Sequence, residues 1–278
     1  MREAILFGFN YTEDSGARLN GCINDVHHVK KFLEPMGFNV SLISDRTNPE
    51  KGTRNGIINT LQDAMLRTHH GTDTLWIHFS CHGSTVPDSR VVSSVSTSPK
   101  RRRPRKRRRK KHRKRVFQDE LDGKDECVVP LDFRNAGFLL DDTIADIFSK
   151  ASPDCRILCV FDCCHSGTIV DVKYSWERDK APVLESTKIA CPAKMITISG
   201  CMDNQTSSDV RGVYSGGRWG GALTSTLVSV SKRSGILNDS FRLVREVRQE
   251  LKNKGHAQIP ILGSSYNLER DCVFLPSN

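Results

Sequence analysis

The chain has 278 residues and 37% of them are hydrophobic, which is enough for one large α/β domain or two small ones. It has 42 Lys and Arg against 32 Asp and Glu, yet 14 of the basic residues lie in the segment 100–115. Without that segment the chain has 28 basic and 32 acidic side chains. The charge therefore excludes a protein that is basic over its whole surface, as nucleic-acid binders often are.

No apolar run reaches the roughly 18 residues that cross a membrane, and strand-like sequence begins at once with residues 4–9. We therefore expect neither a membrane span nor a signal peptide. The ten cysteines do not form a disulfide pattern, because several lie in strand-like runs and Cys163 and Cys164 are adjacent. A reducing compartment, the cytoplasm, is the expected location, with no membrane partner.

The N-terminal part of the chain alternates between strand and helix patterns. Strands are predicted at 4–9, 38–43 and 74–80, and a helix at 23–32. Thr53 has the side chain of an N-cap for a second helix, which carries apolar residues at helical spacing. This βαβαβ order predicts an α/β fold with a mostly parallel central sheet flanked by helices.

The segment 87–116 interrupts this alternation with a Ser-rich stretch and then the basic run. It has no core residues at regular spacing, so we expect a disordered loop. A second polar stretch, 172–188, is predicted to be a linker. The other predicted strands are 127–129, 155–161, 195–199, 259–262 and 272–275, and the other predicted helices are 142–148, 220–231 and 240–251.

Two of the predicted buried strands end in reactive side chains. The strand 74–80 is followed by Cys81-His82-Gly83, and the strand 155–161 by Asp162-Cys163-Cys164-His165-Ser166-Gly167. Residues at the carboxyl ends of parallel strands meet at one edge of the sheet. A thiol beside an imidazole is the arrangement of nucleophilic cysteine catalysis, so the sequence predicts a thiol active site at this edge.

The residue types leave several points open. Spacing does not decide between Cys163 and Cys164 as the nucleophile. The glycines indicate a tight turn, in which the amides of Gly83 and Cys164 are candidates for an oxyanion hole. One alternative is that Cys164 is a small buried hydrophobe and His82 an ordinary loop histidine. Another is a zinc site, for which adjacent Cys and His ligands are poor chelates.

Acidic residues form a second group, which is spread over several loops. They are the acids of the segment 119–126, Asp132, Asp141, Asp142 and Asp171. Carboxylates from separate loops suit Ca²⁺, which takes roughly 6–8 oxygen ligands, although the spacing is not that of an EF-hand. Solvated loop acids are the alternative, and the residue types alone favour it.

Taken together, these motifs resemble a metacaspase over nearly the whole chain. The blocks that carry the resemblance are 8–11, 19–26, 79–83, 129–133, 162–167 and 198–207. The resemblance implies one folded domain with a caspase-like three-layer α/β sandwich. It divides the chain into a large-subunit-like region 1–171, the linker 172–188 and a small-subunit-like region 189–278. The arrangement is similar to type I members, without the N-terminal prodomain.

The resemblance also implies roles for particular residues. His82 is the base and Cys164, directly before His-Ser-Gly, is the nucleophile. An acidic pocket for Arg or Lys maps onto Asp25 and Asp162, lined by Ser80 and Cys22, and activating calcium maps onto Asp125, Asp141, Asp142 and Asp171. The implied protein is a monomeric, calcium-dependent cysteine endopeptidase that cleaves proteins or peptides after Arg or Lys. A carboxylate facing a basic side chain agrees with elementary electrostatics.

Three departures from the family pattern are expected: Cys81 and Ser84 replace glycines around His82-Gly83, an N-terminal prodomain is not expected, and the segment 87–116 is an insertion. The insertion suggests self-cleavage on activation, nuclear import or binding of polyanions such as nucleic acid, or a tolerated inert loop. The alternative function is a catalytically inactive caspase-like scaffold whose basic loop binds nucleic acid or acidic partners.

Overall fold

The computed structural model describes residues 1–87, 124–163, 170, 172–176, 183–184, 191–200, 209–214, 217–269 and 271–275. The described strands are β1 (Arg2–Gly8), β2 (Phe38–Ser44), β3 (Thr74–Ser80), β4 (Gly83–Pro87), β5 (Lys124–Val128), β6 (Leu139–Leu140), β7 (Arg156–Asp162), β8 (Tyr174–Trp176), β9 (Val183–Leu184), β10 (Lys194–Ser199), β11 (Asp209–Tyr214), β12 (Arg218–Gly221) and β13 (Ile261–Ser264). The described α-helices are α1 (Cys22–Leu33), α2 (Arg54–Thr68), α3 (Phe133–Ala136), α4 (Asp141–Phe148), α5 (Ala222–Ser234) and α6 (Ser240–Asn253).

A central sheet of eight described strands runs in the order β2-β1-β3-β7-β10-β13-β8-β9. The five strands from β2 to β10 are parallel, and β13, β8 and β9 add antiparallel pairs at one side. The parallel strands are buried on both faces, which explains why they read as continuous apolar runs rather than as alternating patterns. The expected α/β class with a mostly parallel central sheet is confirmed.

Each face of the sheet is covered by helices, so the domain has three layers. On one face Phe7, Phe79 and Phe161 lie side by side on adjacent strands, with ring centroids 4.5 and 5.3 Å apart, and α2 and α4 pack over this face. On the other face the apolar side chains of α1, α5 and α6 pack against Leu6 and Val160. Successive side chains along each strand point to opposite faces of the sheet, so neighbouring residues contribute to different cores.

The helix boundaries follow local chemistry. The hydroxyl of Thr53 accepts a hydrogen bond from the amide of Gly56 (3.1 Å), which confirms the predicted N-cap of α2. Asp239 caps α6 in the same way, through the amide of Arg242 (3.0 Å). Among the helices of the described residues, none is both long enough and apolar enough to cross a membrane.

Several elements differ from the prediction. The stretch 172–188 contains β8 and β9, which extend the central sheet; strands of two or three residues are too short to show a sequence pattern. The predicted strand 272–275 is wrong, because these residues form no strand. Leu275 bonds instead to Leu237, between α5 and α6, and Cys272 to Ser240 at the start of α6. The predicted strand 127–129 corresponds to the last two residues of β5, which lies in a separate sheet with β4 and β6. Most of the insertion lies in 88–123, outside the described residues.

Candidate active site

The candidate site lies where β3 and β7 end together. These strands pair in parallel, and Ser80 opposite Asp162 is the last pair. Cys81 and Cys163 follow that pair, and both are buried in the core cluster on the phenylalanine face. Cys164, the expected nucleophile, lies in the segment 164–169, outside the described residues. The structure therefore places His82 beside the point where that segment begins.

His82 is oriented by backbone groups. Its Nε2 donates to the carbonyl oxygen of Ala17 (2.8 Å), and since a carbonyl only accepts, the neutral ring carries its proton on Nε2. The lone pair is then on Nδ1, which is the nitrogen able to take a proton. The sequence did not point to Ala17, because a backbone carbonyl can come from any residue type.

Tyr11 fixes the backbone around His82. Its hydroxyl donates to the carbonyl of Val129 (2.7 Å) and accepts from the amide of His82 (3.1 Å), and the two rings lie 5.0 Å apart. Burial raises the pKa of Tyr11 well above its usual value, and the nearby Cys81 thiol adds to this. The phenol therefore stays protonated and keeps both hydrogen bonds. Gly83, one candidate for the oxyanion hole, begins β4 directly after His82.

Two carboxylates meet at the same strand ends, on the face of the sheet that α1 and α5 cover. Asp25 of α1 is 0% exposed and Asp162 at the end of β7 is 3% exposed. A Cβ atom added to Gly221 would lie 2.1 Å from Asp162 Oδ2 and 2.9 Å from Asp25 Oδ2, so only glycine allows this approach. Ser80 donates its hydroxyl to Asp25 (2.7 Å), and Cys22 lies buried one turn earlier on α1. The structure thus brings together the acids and the serine predicted for the pocket.

The second half of the chain holds these carboxylates in place. The amide of Gly221, the N-cap residue of α5, donates to both oxygens of Asp25 (2.9 Å each). The amide and hydroxyl of Thr224 donate to Asp162 Oδ2 (2.9 and 2.8 Å). The N-terminus of a helix favours negative charge, so the start of α5 favours the charged form of both side chains.

His78 extends this network into the core. The single hydroxyl proton of Thr224 goes to Asp162, so Thr224 Oγ1 accepts from His78 Nε2 (3.0 Å). Burial lowers the pKa of His78 to about 3, and within the described part of the chain its Nδ1 has no hydrogen-bond partner. The sequence analysis missed His78 and Thr224. The signal for His78 was that positions 78 and 80 share a face of β3.

Three of the acids expected to bind calcium lie in or next to the small sheet of β4, β5 and β6, which begins directly after His82. Asp125 on β5 and Asp141 at the start of α4 are buried, which contradicts the alternative of solvated loop acids for these two. Cys127 pairs with Leu140, the residue directly before Asp141, so the end of β5 lies beside the start of α4. Asp142 donates its amide to Asp141 Oδ1 (2.7 Å).

Burial, with smaller contributions from neighbouring groups that include Asp141, raises the pKa of the Cys127 thiol to about 12. The donor chemistry of the buried carboxylates suits a hard cation such as Ca²⁺. No three His, Cys, Asp or Glu side chains of the described residues are grouped closely enough to hold a metal by themselves. The fourth expected ligand, Asp171, lies outside those residues.

Comparison with known proteins gives the family. The profile of the Peptidase_C14 family, the caspase domain, matches residues 1–270, so the chain belongs to that family. A Metacaspase-1 of Cryptococcus neoformans is 28% identical over 99% of this chain and 64% of its own length. Metacaspase-5 of Trypanosoma brucei brucei is 30% identical over 95% of this chain and 50% of its own length. The expected resemblance to metacaspases is confirmed, and the chain spans about half to two thirds of these relatives.

A crystal structure of a Geobacter sulfurreducens protein superposes with a TM-score of 0.62. The superposition covers 96% of this chain and 94% of the Geobacter protein, at 22% sequence identity. At that level of identity the likeness concerns the fold alone. It agrees with the three-layer arrangement described above.

His78 gives a pH dependence that can be measured. Its folded pKa of about 3 is below the unfolded value near 6.5, so below pH 6.5 the unfolded chain binds a proton that the folded protein does not. The destabilisation is absent above pH 6.5 and grows as the pH falls towards 3. Relative to His78→Gln, the wild-type free energy of unfolding should fall by about 1.4 kcal/mol per pH unit below 6.5.

Urea unfolding at pH 7.5, 6.5, 5.5 and 4.5 measures this difference. The control is His70→Gln, which removes an imidazole from an exposed turn after α2. A difference of the same size in the control, or a flat difference for His78→Gln, would contradict the assignment to burial.

Proposed function

We propose that the chain is a cysteine endopeptidase that cleaves after Arg or Lys with Cys164 and His82, and that calcium activates it. The observation that carries this proposal is the buried pair of carboxylates, Asp25 and Asp162, at the edge of the sheet where His82 lies. Ser80, which bonds to Asp25, is two residues before His82, and Asp162 is two residues before Cys164. A pocket for a basic side chain and a thiol–imidazole pair thus share the same strand ends.

The proposed reaction is acyl transfer to the thiol. His82 Nδ1 accepts the Cys164 proton, and the thiolate attacks the carbonyl carbon of the peptide bond. The imidazolium then donates that proton to the leaving amine, which breaks the C–N bond and leaves a thioester. Water, deprotonated by the same imidazole, attacks the thioester carbonyl carbon, the C–S bond breaks, and the imidazolium returns the proton to the Cys164 thiolate. Ala17 accepts from Nε2 throughout, which stabilises the imidazolium, and the amides of Gly83 and Cys164 are proposed to face the oxyanion.

Charge supports the choice of substrate. A basic side chain that leaves water needs an opposed carboxylate, and a guanidinium is best bound by two acceptor oxygens in its plane. Asp25 and Asp162 supply these oxygens from two elements, α1 and β7. Neutral donors such as the Ser80 hydroxyl and the Gly221 amide hold Asp25, so they fix its position without neutralising its charge.

The nucleophile is tested by two neighbouring substitutions. Cys164→Ala should lower the turnover of an Arg-containing fluorogenic peptide on the order of 10⁴-fold or more, because the covalent step is lost. Cys163→Ala should retain turnover, because Cys163 packs in the core. Loss of activity with Cys163→Ala but not with Cys164→Ala would reverse the assignment. No turnover by the wild type, with or without calcium, would favour the inactive scaffold that binds nucleic acid or acidic partners.

Calcium is proposed to bind Asp125, Asp141 and Asp142 together with Asp171. When bound, the ion supplies fixed positive charge next to buried carboxylates. The chain contributes carboxylate oxygens from β5 and from the start of α4. β5 belongs to the small sheet that begins directly after His82, and α4 directly follows that sheet's last strand, β6. Ordering of this sheet is how we expect the ion to act on the site.

The calcium proposal predicts that a chelator removes peptidase activity and that calcium restores it. Asp141→Asn should raise the half-activating calcium concentration about tenfold or more, because a buried anionic ligand is lost. Calcium should also raise the midpoint of thermal unfolding of the wild type but not of this variant. Asp146→Asn, on the exposed side of α4 where it pairs with Lys150, is the control. Equal responses of the two variants would contradict the site.

The basic insertion is proposed to be a substrate of the enzyme itself. Its flanks are the paired strands β4 and β5, in which Pro87 lies opposite Lys124. After a cut within it, the pairing of β4 with β5 therefore still joins the two fragments, directly after His82. Incubation with calcium should produce new termini between residues 99 and 116, detected by mass spectrometry, and none in Cys164→Ala. Turnover of a peptide without any such cut would contradict self-processing.

A further inference from the structure

Gln258 is a buried amide without a partner. It lies between α6 and β13, is 4% exposed, and neither its Oε1 nor its Nε2 forms a hydrogen bond with the rest of the chain as described. Leaving a buried polar atom unsatisfied destabilises a fold, and among the described residues Gln258 is the one with two such atoms. Its presence here needs a reason outside the fold's own hydrogen bonding.

The amide lies next to the carboxylate pocket. Gly200 follows β10, and its amide donates to the carbonyl of Phe161 (2.8 Å), which keeps it against the end of β7. A Cβ atom added to Gly200 would lie 2.7 Å from Gln258 Nε2 and 3.6 Å from Asp162 Oδ1. Gly200 therefore lets the carboxamide approach the pocket. Nε2 is the nearer end, and because neither end is bonded within the described chain, a half-turn about the last side-chain bond brings Oε1 to the same place. Thr224 binds Oδ2 of Asp162, whereas Oδ1 is the oxygen on the side of Gln258.

We propose that Gln258 is a specificity-determining residue of the same pocket, whose side-chain carbonyl oxygen accepts a hydrogen bond from the basic side chain bound between Asp25 and Asp162. This inference rests on the proposed function and adds a third acceptor to it. The substrate class that it selects is peptides with arginine, rather than lysine, before the cleaved bond.

The number of donors on each side chain gives this preference. A guanidinium presents five N–H groups in a plane, and an ammonium presents three on a compact head. Two carboxylates leave part of the guanidinium unsatisfied in a buried site, and a neutral carbonyl on a third side satisfies it. A third carboxylate would add repulsion between like charges, which an amide avoids.

An apolar substitution of similar volume separates this role from a structural one. Gln258→Met removes the amide and nearly keeps the volume. Because the fold forms no described hydrogen bond with this amide, its loss should leave the midpoint of thermal unfolding unchanged or higher. A residue that only supports the fold would show a lower midpoint and an unchanged KM.

The measurement is steady-state turnover, with calcium, of two fluorogenic peptides that differ only in Arg or Lys before the cleaved bond. Gln258→Met should raise KM for the Arg peptide about tenfold or more, leave kcat within about twofold, and affect the Lys peptide less. Gln249→Met, on the exposed side of α6 where it bonds to Asn253, should change neither. An unchanged KM for the Arg peptide, with the wild type active, would overturn the role of Gln258 alone.

A binding measurement keeps this test independent of catalysis. Fluorescence anisotropy of the same Arg peptide compares Cys164→Ala with Cys164→Ala/Gln258→Met. Weaker binding by about tenfold in the double variant supports the pocket even if the wild type proves inactive, in which case only the proposed function fails. Equal binding of the peptide to the two proteins would overturn the inference.

Discussion

The parallel register of β3 against β7 is the constraint on which the candidate site depends. Because Ser80 lies opposite Asp162, the residues after the two strands leave the sheet at the same level. Ser80 and Asp162 face α1 and α5, whereas Cys81 and Cys163 face the other core. A slip of one residue would turn each of these side chains to the opposite face, so the pocket and the thiol–imidazole edge require the same register.

Neither half of the chain forms the pocket alone. Asp25 and Ser80 come from the first half, while Gly221 and Thr224 come from the turn of β12 into the first residues of α5. Their hydrogen bonds join segments that are far apart in sequence, so the pocket forms only when both halves have folded together. Such non-local contacts are slow to form and are absent from local elements, which makes a folded pocket a property of the whole domain.

The sequence was sufficient for the parts that have a local pattern. The first three strands, α1 and the N-cap of α2 follow from apolar spacing and from Thr53, and the approach of Asp162 to Ser80 follows from strand ends. The remaining features have no such pattern. Ala17 acts through its backbone, β8 and β9 are too short, and burial of Asp125 depends on pairing with a strand whose register the sequence does not state.

The polar groups around Asp162 explain how a carboxylate can be buried at the end of β7. The Thr224 amide and hydroxyl are neutral donors at the start of a helix, and they lower the cost of burying the charge while leaving its field in place. His78, kept neutral by burial, orients that hydroxyl without adding charge. The role proposed for Gln258 follows the same rule, since its amide would add an acceptor without adding charge. In the proposed function, such a pocket attracts the basic side chain of a substrate and fixes the directions in which its N–H groups point.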